Sequence, residues 1–213
     1  MKASTARTGS AGAFHVAAQL AQRGWDTSLT IGNTPRTDVL AQHATHQRLI
    51  AVQCKTSTGS QDFVLSVSCE SPSPPGRDEW FVLTTLREPD ARPEFYVVPR
   101  NVIAAYLHIG HRAWLMGAAK NGSARRDNPM RNAELKMLQG YRERWDLMDA
   151  PASDAPYLLP AWVFAWAPHT GLPEGHPGIV VPADASLLPD WTPGWLPPLP
   201  LDAEHQPTLE GLP

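Results

Sequence analysis

Asp38, Gln53 and Lys55 are the residues of this 213-residue sequence whose types and spacing are best suited to chemistry. A carboxylate and an amide oxygen are hard ligands of the kind that Mg²⁺ or Mn²⁺ accepts. A lysine ammonium beside them can orient a metal-bound water and balance charge on a phosphate under attack. We therefore expect a catalytic group of these three residues, with Asp38 and Gln53 as the metal ligands and Mg²⁺ or Mn²⁺ as the cofactor.

The elements expected around these residues place them together. The strands Arg36–Gln42 and Arg48–Thr56 are predicted to flank the polar turn His43–Gln47. Gln53 and Lys55 alternate with their neighbours and share one face of the second strand. If the two strands pair, Asp38 meets them at one position of the sheet. The alternative is that Asp38 only bonds to its turn and that Gln53 and Lys55 are solvated on an exposed sheet face.

The rest of the first 150 residues predicts an α/β domain with a mixed central sheet flanked by helices. The expected helices are Ser10–Arg23, Arg100–Trp114 and Glu134–Asp149, and the further expected strands are Thr27–Ile31, Asp62–Cys69, Trp80–Thr85 and Glu94–Val98. In the first helix, Ala13, Val16, Ala17 and Leu20 recur on one face. A polar, basic loop is expected over Lys120–Arg131.

Charge and proline divide the chain near residue 150. All 18 Lys and Arg residues lie at or before Arg144, beside 14 acidic residues, which gives residues 1–149 a net charge of +4. Residues 150–213 hold 7 acidic residues, no Lys or Arg, 14 of the 22 prolines and four of the eight tryptophans. We expect one domain over residues 1–150 and an acidic Pro/Trp-rich extension over residues 151–213, which packs on the core or on a partner. Within it, Tyr157–Trp166 is expected as a short strand or docking segment.

The residues resemble a known family. The stretches "GAFHVAAQLAQRGW", "TIGNTPRTDVLA" and "LIAVQCKTSTGSQDFVLS", followed by "PEFYVVPRNVIAAYL", are similar to small PD-(D/E)xK nuclease-like proteins related to Holliday-junction resolvases and restriction endonucleases. The resemblance covers about residues 9–149 and implies a restriction-endonuclease-like core. It implies that Asp38 binds metal, that Gln53, in a QxK variant of the motif, supplies a second ligand, and that Lys55 assists the nucleophilic water.

The family pattern is interrupted at Ala13, where the resemblance leads one to expect a glutamate in the first helix. The function implied is metal-dependent endonucleolytic hydrolysis of DNA. The alternative is a degenerate nuclease fold that binds nucleic acid or protein, in a phage-defence or mobile-element setting.

Five basic residues are expected to contact the phosphates of nucleic acid, namely Arg36, Lys120, Arg125, Arg126 and Arg131. DNA is the expected partner, with a homodimer and a protein partner for the extension as further possibilities. The longest apolar runs are too short for a membrane span, no secretion signal is evident, and two unpaired cysteines fit a reducing compartment. We therefore expect a cytoplasmic protein.

Overall fold

The structure is a computed structural model, and it describes residues 5–31, 34–59, 62–88, 90–173, 176–179 and 188–200. Its centre is a five-stranded sheet in the order β1-β2-β3-β5-β6. The strands are β1 (Trp25–Leu29), β2 (Val39–His43), β3 (Leu49–Thr58), β5 (Glu79–Leu86) and β6 (Glu94–Pro99). The mixed α/β class expected from the sequence is confirmed.

The sheet register fixes which side chains share a face. β1, β2 and β3 form an antiparallel meander, in which Val39 is opposite Val52. β3 and β5 run parallel, with Gln53 beside Phe81, and β6 returns antiparallel to β5. The hairpin expected around the His43–Gln47 turn is therefore present. Gln53 and Lys55 lie on one face of β3, and Val52 and Cys54 lie buried on the other.

Helix α1 (Thr5–Ala21) covers the face of the sheet that carries Val52 and Cys54. It begins earlier and ends earlier than the predicted helix. Its innermost residues are Gly12, Val16 and Leu20. The helix approaches β3 so closely at Gly12 that an added Cβ would lie 1.8 Å from Thr56 Oγ1. Only glycine allows this distance between the helix and the sheet.

Helix α2 (Arg100–Met116) lies on the opposite face, where its first residue, Arg100, is 4.7 Å from the centre of the Phe81 ring. The covering of this face is incomplete. On the antiparallel half of the sheet, the same face carries Leu40 and Leu49, which are 39% and 62% exposed. The face therefore has a covered half over β5 and β6 and an open half over β2 and β3.

The predicted helix over Glu134–Asp149 is wrong. β7 (Met130–Glu134) pairs antiparallel with β4 (Asp62–Ser66) in a second, two-stranded sheet, and 3₁₀ segments follow at Leu135–Tyr141 and Trp145–Asp149. The apolar residues that suggested a helix are still buried, since Leu138 and Tyr141 are fully inaccessible to solvent. However, the chain turns at Glu143, whose φ of 55° no continuous helix permits.

The described parts of the extension pack on residues before 150. Helix α3 (Ala161–Trp166) buries Trp162, Val163 and Trp166, so the expectation of a strand here is wrong. Trp195 meets Trp162 edge to face, with 6.0 Å between ring centres, and its Nε1 donates to Glu134 Oε1 over 2.5 Å. These tryptophans are therefore part of the hydrophobic core and its border.

Replacing Gly12 with alanine tests the close contact between α1 and β3. The added methyl group would overlap Thr56 Oγ1, and overpacking of this kind costs about 1–3 kcal/mol. We expect Gly12→Ala to lower the free energy of unfolding by that amount in urea or thermal denaturation. Thr56→Ala should recover part of the loss because it removes the overlapping atom.

Gly9→Ala is the matched control, since Gly9 is in the same helix and its added Cβ would meet nothing within 4 Å. Alanine is the better helix former by about 1 kcal/mol, so this variant should be as stable as the wild type or more so. Equal stability changes for the two variants would contradict the close approach at Gly12.

Candidate active site

Asp38 lies where β2 begins, and its position is fixed from both the backbone and the side chain. Its amide donates to Val52 O over 2.9 Å, and its Oδ2 accepts from the Cys54 amide over 2.7 Å. The pairing of β2 with β3 begins at Val39, which is opposite Val52, and Asp38 is the residue just before it. Asp38 Oδ1 has no hydrogen-bond partner among the residues that the structure describes. One carboxylate oxygen is therefore structural, and the other is free for a ligand.

Lys55 and Gln53 are half-buried beside this carboxylate. Gln53 Oε1 accepts a hydrogen bond from Arg100 Nη1 over 2.9 Å. Lys55 makes no hydrogen bond or ion pair within the described parts of the chain. Gln53 and Lys55 thus share one face of β3, at the boundary between its covered and open halves, and the Asp38 carboxylate is bonded to the amide of Cys54 between them. Within the described residues, Asp38 Oδ1 and Lys55 Nζ have no hydrogen-bond partner.

Cys54 is between these two residues in the chain but points to the other face. Burial, and secondly the charge of Asp38, raise the pKa of the Cys54 thiol far above its ordinary value. A thiol that stays protonated is neither a nucleophile nor a metal ligand. Cys54 therefore contributes its backbone amide to the site, and its side chain belongs to the core.

A buried carboxylate, Glu79, holds two arginines next to the site. Its Oε2 is 3.0 Å from Arg100 Nε and 2.7 Å from Arg36 Nη2. Arg100 and Glu79 are 1% and 2% exposed. Burial, followed by the charge of Arg36, lowers the pKa of Arg100 to about 10, although Glu79 opposes that shift. Arg100 is therefore still a cation at neutral pH and must keep its partners.

Arg36 fixes the turn that leads to Asp38. Its φ of 68° lies in the left-handed region, which is unusual for a side-chain-bearing residue. Its guanidinium compensates with three bonds, since Nη1 donates to Ser71 Oγ over 2.9 Å, and Nη2 donates to Pro72 O over 2.8 Å and to Glu79. The residue expected to contact phosphate is thus bound within the protein.

Sequence reasoning missed Glu79 and Arg100. Each is a charged residue next to an apolar strand, since Glu79 opens the strand "WFVLTTL" and Arg100 follows "EFYVVP". A charge of either sign in such a position is rarely buried unless it is paired. The opposite charges at the same end of two neighbouring strands were the available signal.

The donor set fits a divalent metal ion only in part. In the described ranges no three His, Cys, Asp or Glu side chains come together as metal ligands. Of the oxygens of Asp38 and Gln53, only Asp38 Oδ1 is open to a metal ion within the described residues. Asp38 Oδ2 accepts from the Cys54 amide, and Gln53 Oε1 accepts from Arg100. Mg²⁺ commonly keeps several waters and binds through one or two carboxylates together with substrate phosphates. The site fits an ion held in that way.

Ala13 is half-buried and flanks the innermost stripe of α1, with Gly12 as the residue that contacts the sheet. The neighbour of Gly12 on β3 is Thr56, which follows Lys55. Thr56 belongs to the face of β3 opposite Gln53 and Lys55, so α1 lies behind the candidate site, and its side chain at residue 13 supplies no oxygen.

The expected phosphate-binding residues fall into two groups. Lys120 and Arg126 are exposed on the loop after α2. Arg125 lies over the Trp114 ring, 5.0 Å from its centre, and donates to Trp114 O. Arg131 is 6% exposed and is bonded to Glu70 and to the backbone at Asn128. Only the first two present free cations to solvent.

No protein-family model and no curated protein matches the sequence. Solved structures similar to it include two nucleases. Hjc, a Holliday junction resolvase from Archaeoglobus fulgidus, is 14% identical with a TM-score of 0.37, over 62% of this chain and 87% of that one. The bacterial homing endonuclease I-Ssp6803I is 20% identical with a TM-score of 0.41, over 68% and 93%. Across the described residues, no helix is both long and apolar enough to cross a membrane.

The Glu70–Arg131 pair predicts how stability depends on pH. Burial alone would raise the pKa of the Glu70 carboxyl, but hydrogen bonds from His108 and Arg131 and the charge of both hold it below its ordinary 4.5. A lowered pKa stabilises the fold above pH 4.5, and this contribution is lost as the pH falls through the folded value. Glu70→Gln should therefore reduce the melting temperature at pH 7 and flatten its decline below pH 4.5.

Asp146→Asn is the control for this titration. Asp146 also has a lowered pKa, caused first by its hydrogen bond from Arg144, but both partners are exposed. Exposed pairs contribute little, so the control should follow the wild-type melting curve at each pH. A Glu70→Gln variant with the same acid limb as the wild type would show that this pair does not stabilise the fold.

Proposed function

We propose that this chain is a DNA endonuclease of the PD-(D/E)xK type that hydrolyses phosphodiester bonds with Mg²⁺ or Mn²⁺. The observation that carries the proposal is the shared face of Gln53 and Lys55 on β3, with the Asp38 carboxylate bonded to the amide of Cys54 between them. They lie where the covered half of that face gives way to the open half, so a polymer backbone can reach them. The resemblance of residues 9–149 to that family points to the same chemistry.

Each residue has a role in keeping with its contacts. Asp38 Oδ1 would hold the metal ion, and the bond from Oδ2 to the Cys54 amide keeps the carboxylate in place without the ion. A bound ion would supply positive charge at the phosphate and would lower the pKa of a water bound to it. Lys55, which has no partner among the described residues, orients the attacking water and balances charge on the phosphate. Arg36, Glu79 and Arg100 hold the surrounding backbone and Gln53.

A second candidate is a module on the same fold that binds DNA without cutting it. It is favoured by the number of carboxylates, since among the described residues Asp38 is the single acid that offers an oxygen to the site, and Ala13 adds none. A site with so little negative charge binds a metal ion weakly in the absence of DNA. On this proposal the exposed Lys120 and Arg126 still attract the DNA backbone.

A cleavage assay with Mg²⁺ or Mn²⁺ on duplex, branched and single-stranded DNA decides between the two candidates. We expect Asp38→Asn and Lys55→Ala each to lower the cleavage rate by roughly 10²-fold or more. The asparagine side chain keeps an oxygen for the Cys54 amide, so the melting temperature of Asp38→Asn should be close to that of the wild type.

The matched control is Asp26→Asn. Asp26 is exposed on β1 and belongs to the same sheet face, through its pairing with Gln42 and the pairing of Gln42 with Leu49. Its loss should leave cleavage unchanged. DNA binding without any cleavage by the wild type would favour the second candidate, and full activity of both site variants would remove the site from the reaction.

The basic loop gives an independent test of DNA binding. Removing Lys120 and Arg126 together should weaken DNA binding for all sequences alike. The slope of log affinity against log salt should fall by about 2, because each lost phosphate contact releases about 0.9 of a counterion fewer. Arg23→Ala is the control, since Arg23 is exposed at the end of α1, on the other face of the sheet. Equal slopes for all three proteins would exclude the loop from the interface.

A further inference from the structure

The orientation of the Gln53 amide is fixed by chemistry. A guanidinium group has only hydrogen-bond donors. The Gln53 atom that lies 2.9 Å from Arg100 Nη1 must therefore be the oxygen, as the structure has it. The –NH₂ group of Gln53 then points away from Arg100. Gln53 Nε2 has no hydrogen-bond partner within the described residues, and it is not among their fully buried unpaired atoms.

The charge around this amide suits an anion. Asp38 and Glu79 contribute two negative charges, and Arg36, Lys55 and Arg100 contribute three positive charges, a net charge of +1. Two donors without a partner among the described residues, Gln53 Nε2 and Lys55 Nζ, lie on the same face of β3, one pleat apart. A phosphodiester, which carries one negative charge and only acceptor oxygens, is complementary to this arrangement.

We propose that Gln53 donates its amide hydrogens to a phosphodiester oxygen of DNA, and that Arg100 is the positioning residue that turns the amide for this purpose. The ligand class rests on the proposed function. This role differs from the metal-ligand role expected from the sequence, because Gln53 bonds directly to the phosphate and not to a metal ion. Metal binding then falls to Asp38 and the phosphate oxygens.

Arg100 is suited to positioning because it is buried, has fixed partners and is charged at neutral pH. It is held by Glu79 on one side and lies over the Phe81 ring on another, with 1% of its surface exposed. Glu79 in turn is bound by Arg36, two residues before Asp38. One buried network therefore sets both the Gln53 amide and the turn that carries Asp38.

DNA affinity measured without metal separates the two roles of Gln53. A labelled DNA duplex is titrated with protein in EDTA and again in Ca²⁺. We expect Gln53→Ala to weaken binding in EDTA by roughly tenfold to a hundredfold, the effect of one hydrogen bond to a charged group. The loss in Ca²⁺ should be of the same size. Gln53→Glu should weaken binding in EDTA at least as much, because it replaces the donor with a negative charge.

Gln42→Ala is the control variant. Gln42 is on the same sheet face, opposite Leu49, and its amide bonds to Gln47. Its removal should leave the affinity unchanged in both buffers. Wild-type affinity of Gln53→Ala in EDTA, with a loss that appears only in Ca²⁺, would overturn the proposal and return Gln53 to the metal. Failure of the wild type to bind DNA in EDTA would overturn it as well.

The positioning role of Arg100 is tested by a double-mutant cycle on DNA affinity in EDTA. Arg100→Lys keeps a buried cation for Glu79 but loses the fork that also reaches Gln53. It should weaken binding in the wild type and have no further effect when Gln53 is already replaced by alanine. A similar loss in both backgrounds would show a general structural role instead. The Gln53 variants test the donor role even if Arg100→Lys does not fold, because Gln53 is only half-buried.

These measurements test the role of Gln53 separately from the proposed function. Absence of cleavage in Mg²⁺ or Mn²⁺ rejects the endonuclease but leaves the affinities in EDTA as a full test of Gln53. Conversely, if the protein cleaves DNA and its Gln53→Ala variant binds DNA normally in EDTA, the proposed function stands and the donor role of Gln53 is rejected.

Discussion

The ion pairs of one buried carboxylate support most of the candidate site. Glu79 binds Arg100 at the start of α2 and Arg36 in the turn before β2, so it joins three elements that are far apart in sequence. Removing one partner of such a pair leaves a buried charge uncompensated, which costs about 3–5 kcal/mol. The network therefore constrains where the turn, the helix and the sheet can lie. Gln53 is oriented as a result.

The arrangement shows how a sheet with one incompletely covered face can present a polar site. α1 closes the face that carries Val52 and Cys54, and the buried side chains there need no further partner. On the other face, α2 covers β5 and β6 and leaves Leu40 and Leu49 on the rest of the sheet exposed. Half-buried polar side chains lie at this boundary, where they are shielded enough to be held in place and open enough to meet a ligand.

The sequence was sufficient for the features that depend on local pattern. Alternation of apolar residues identified β3 and the hairpin with β2, and hence the shared face of Gln53 and Lys55. The helical spacing of Val16 and Leu20 identified α1. Contacts across long sequence separations were not accessible in this way. Arg36 and Arg131 looked like free cations, and only the fold shows that Glu79 and Glu70 bind them.

The wrong helix over Glu134–Asp149 has a related cause. The apolar residues there do recur at helical spacing, but Met130–Glu134 is taken up by pairing with β4, more than 60 residues earlier in the chain. Glu143 then adopts a positive φ, with its amide bonded to Phe95 O. Pairing with a distant strand overrides the local preference for a helix here, and the sequence of the segment alone does not indicate that pairing.

The packing of α3 and of Trp195 has a consequence for how the chain is made. Trp162 and Trp166 belong to a core most of whose buried residues come from before residue 150. During synthesis, the sheet and α2 leave the ribosome before α3, and part of their apolar surface stays exposed to solvent until α3 follows. The described part of the Pro-rich segment is therefore made after the sheet and α2, and it covers apolar surface that they leave exposed. We expect a nascent chain halted before Ala161 to depend on chaperones until translation resumes.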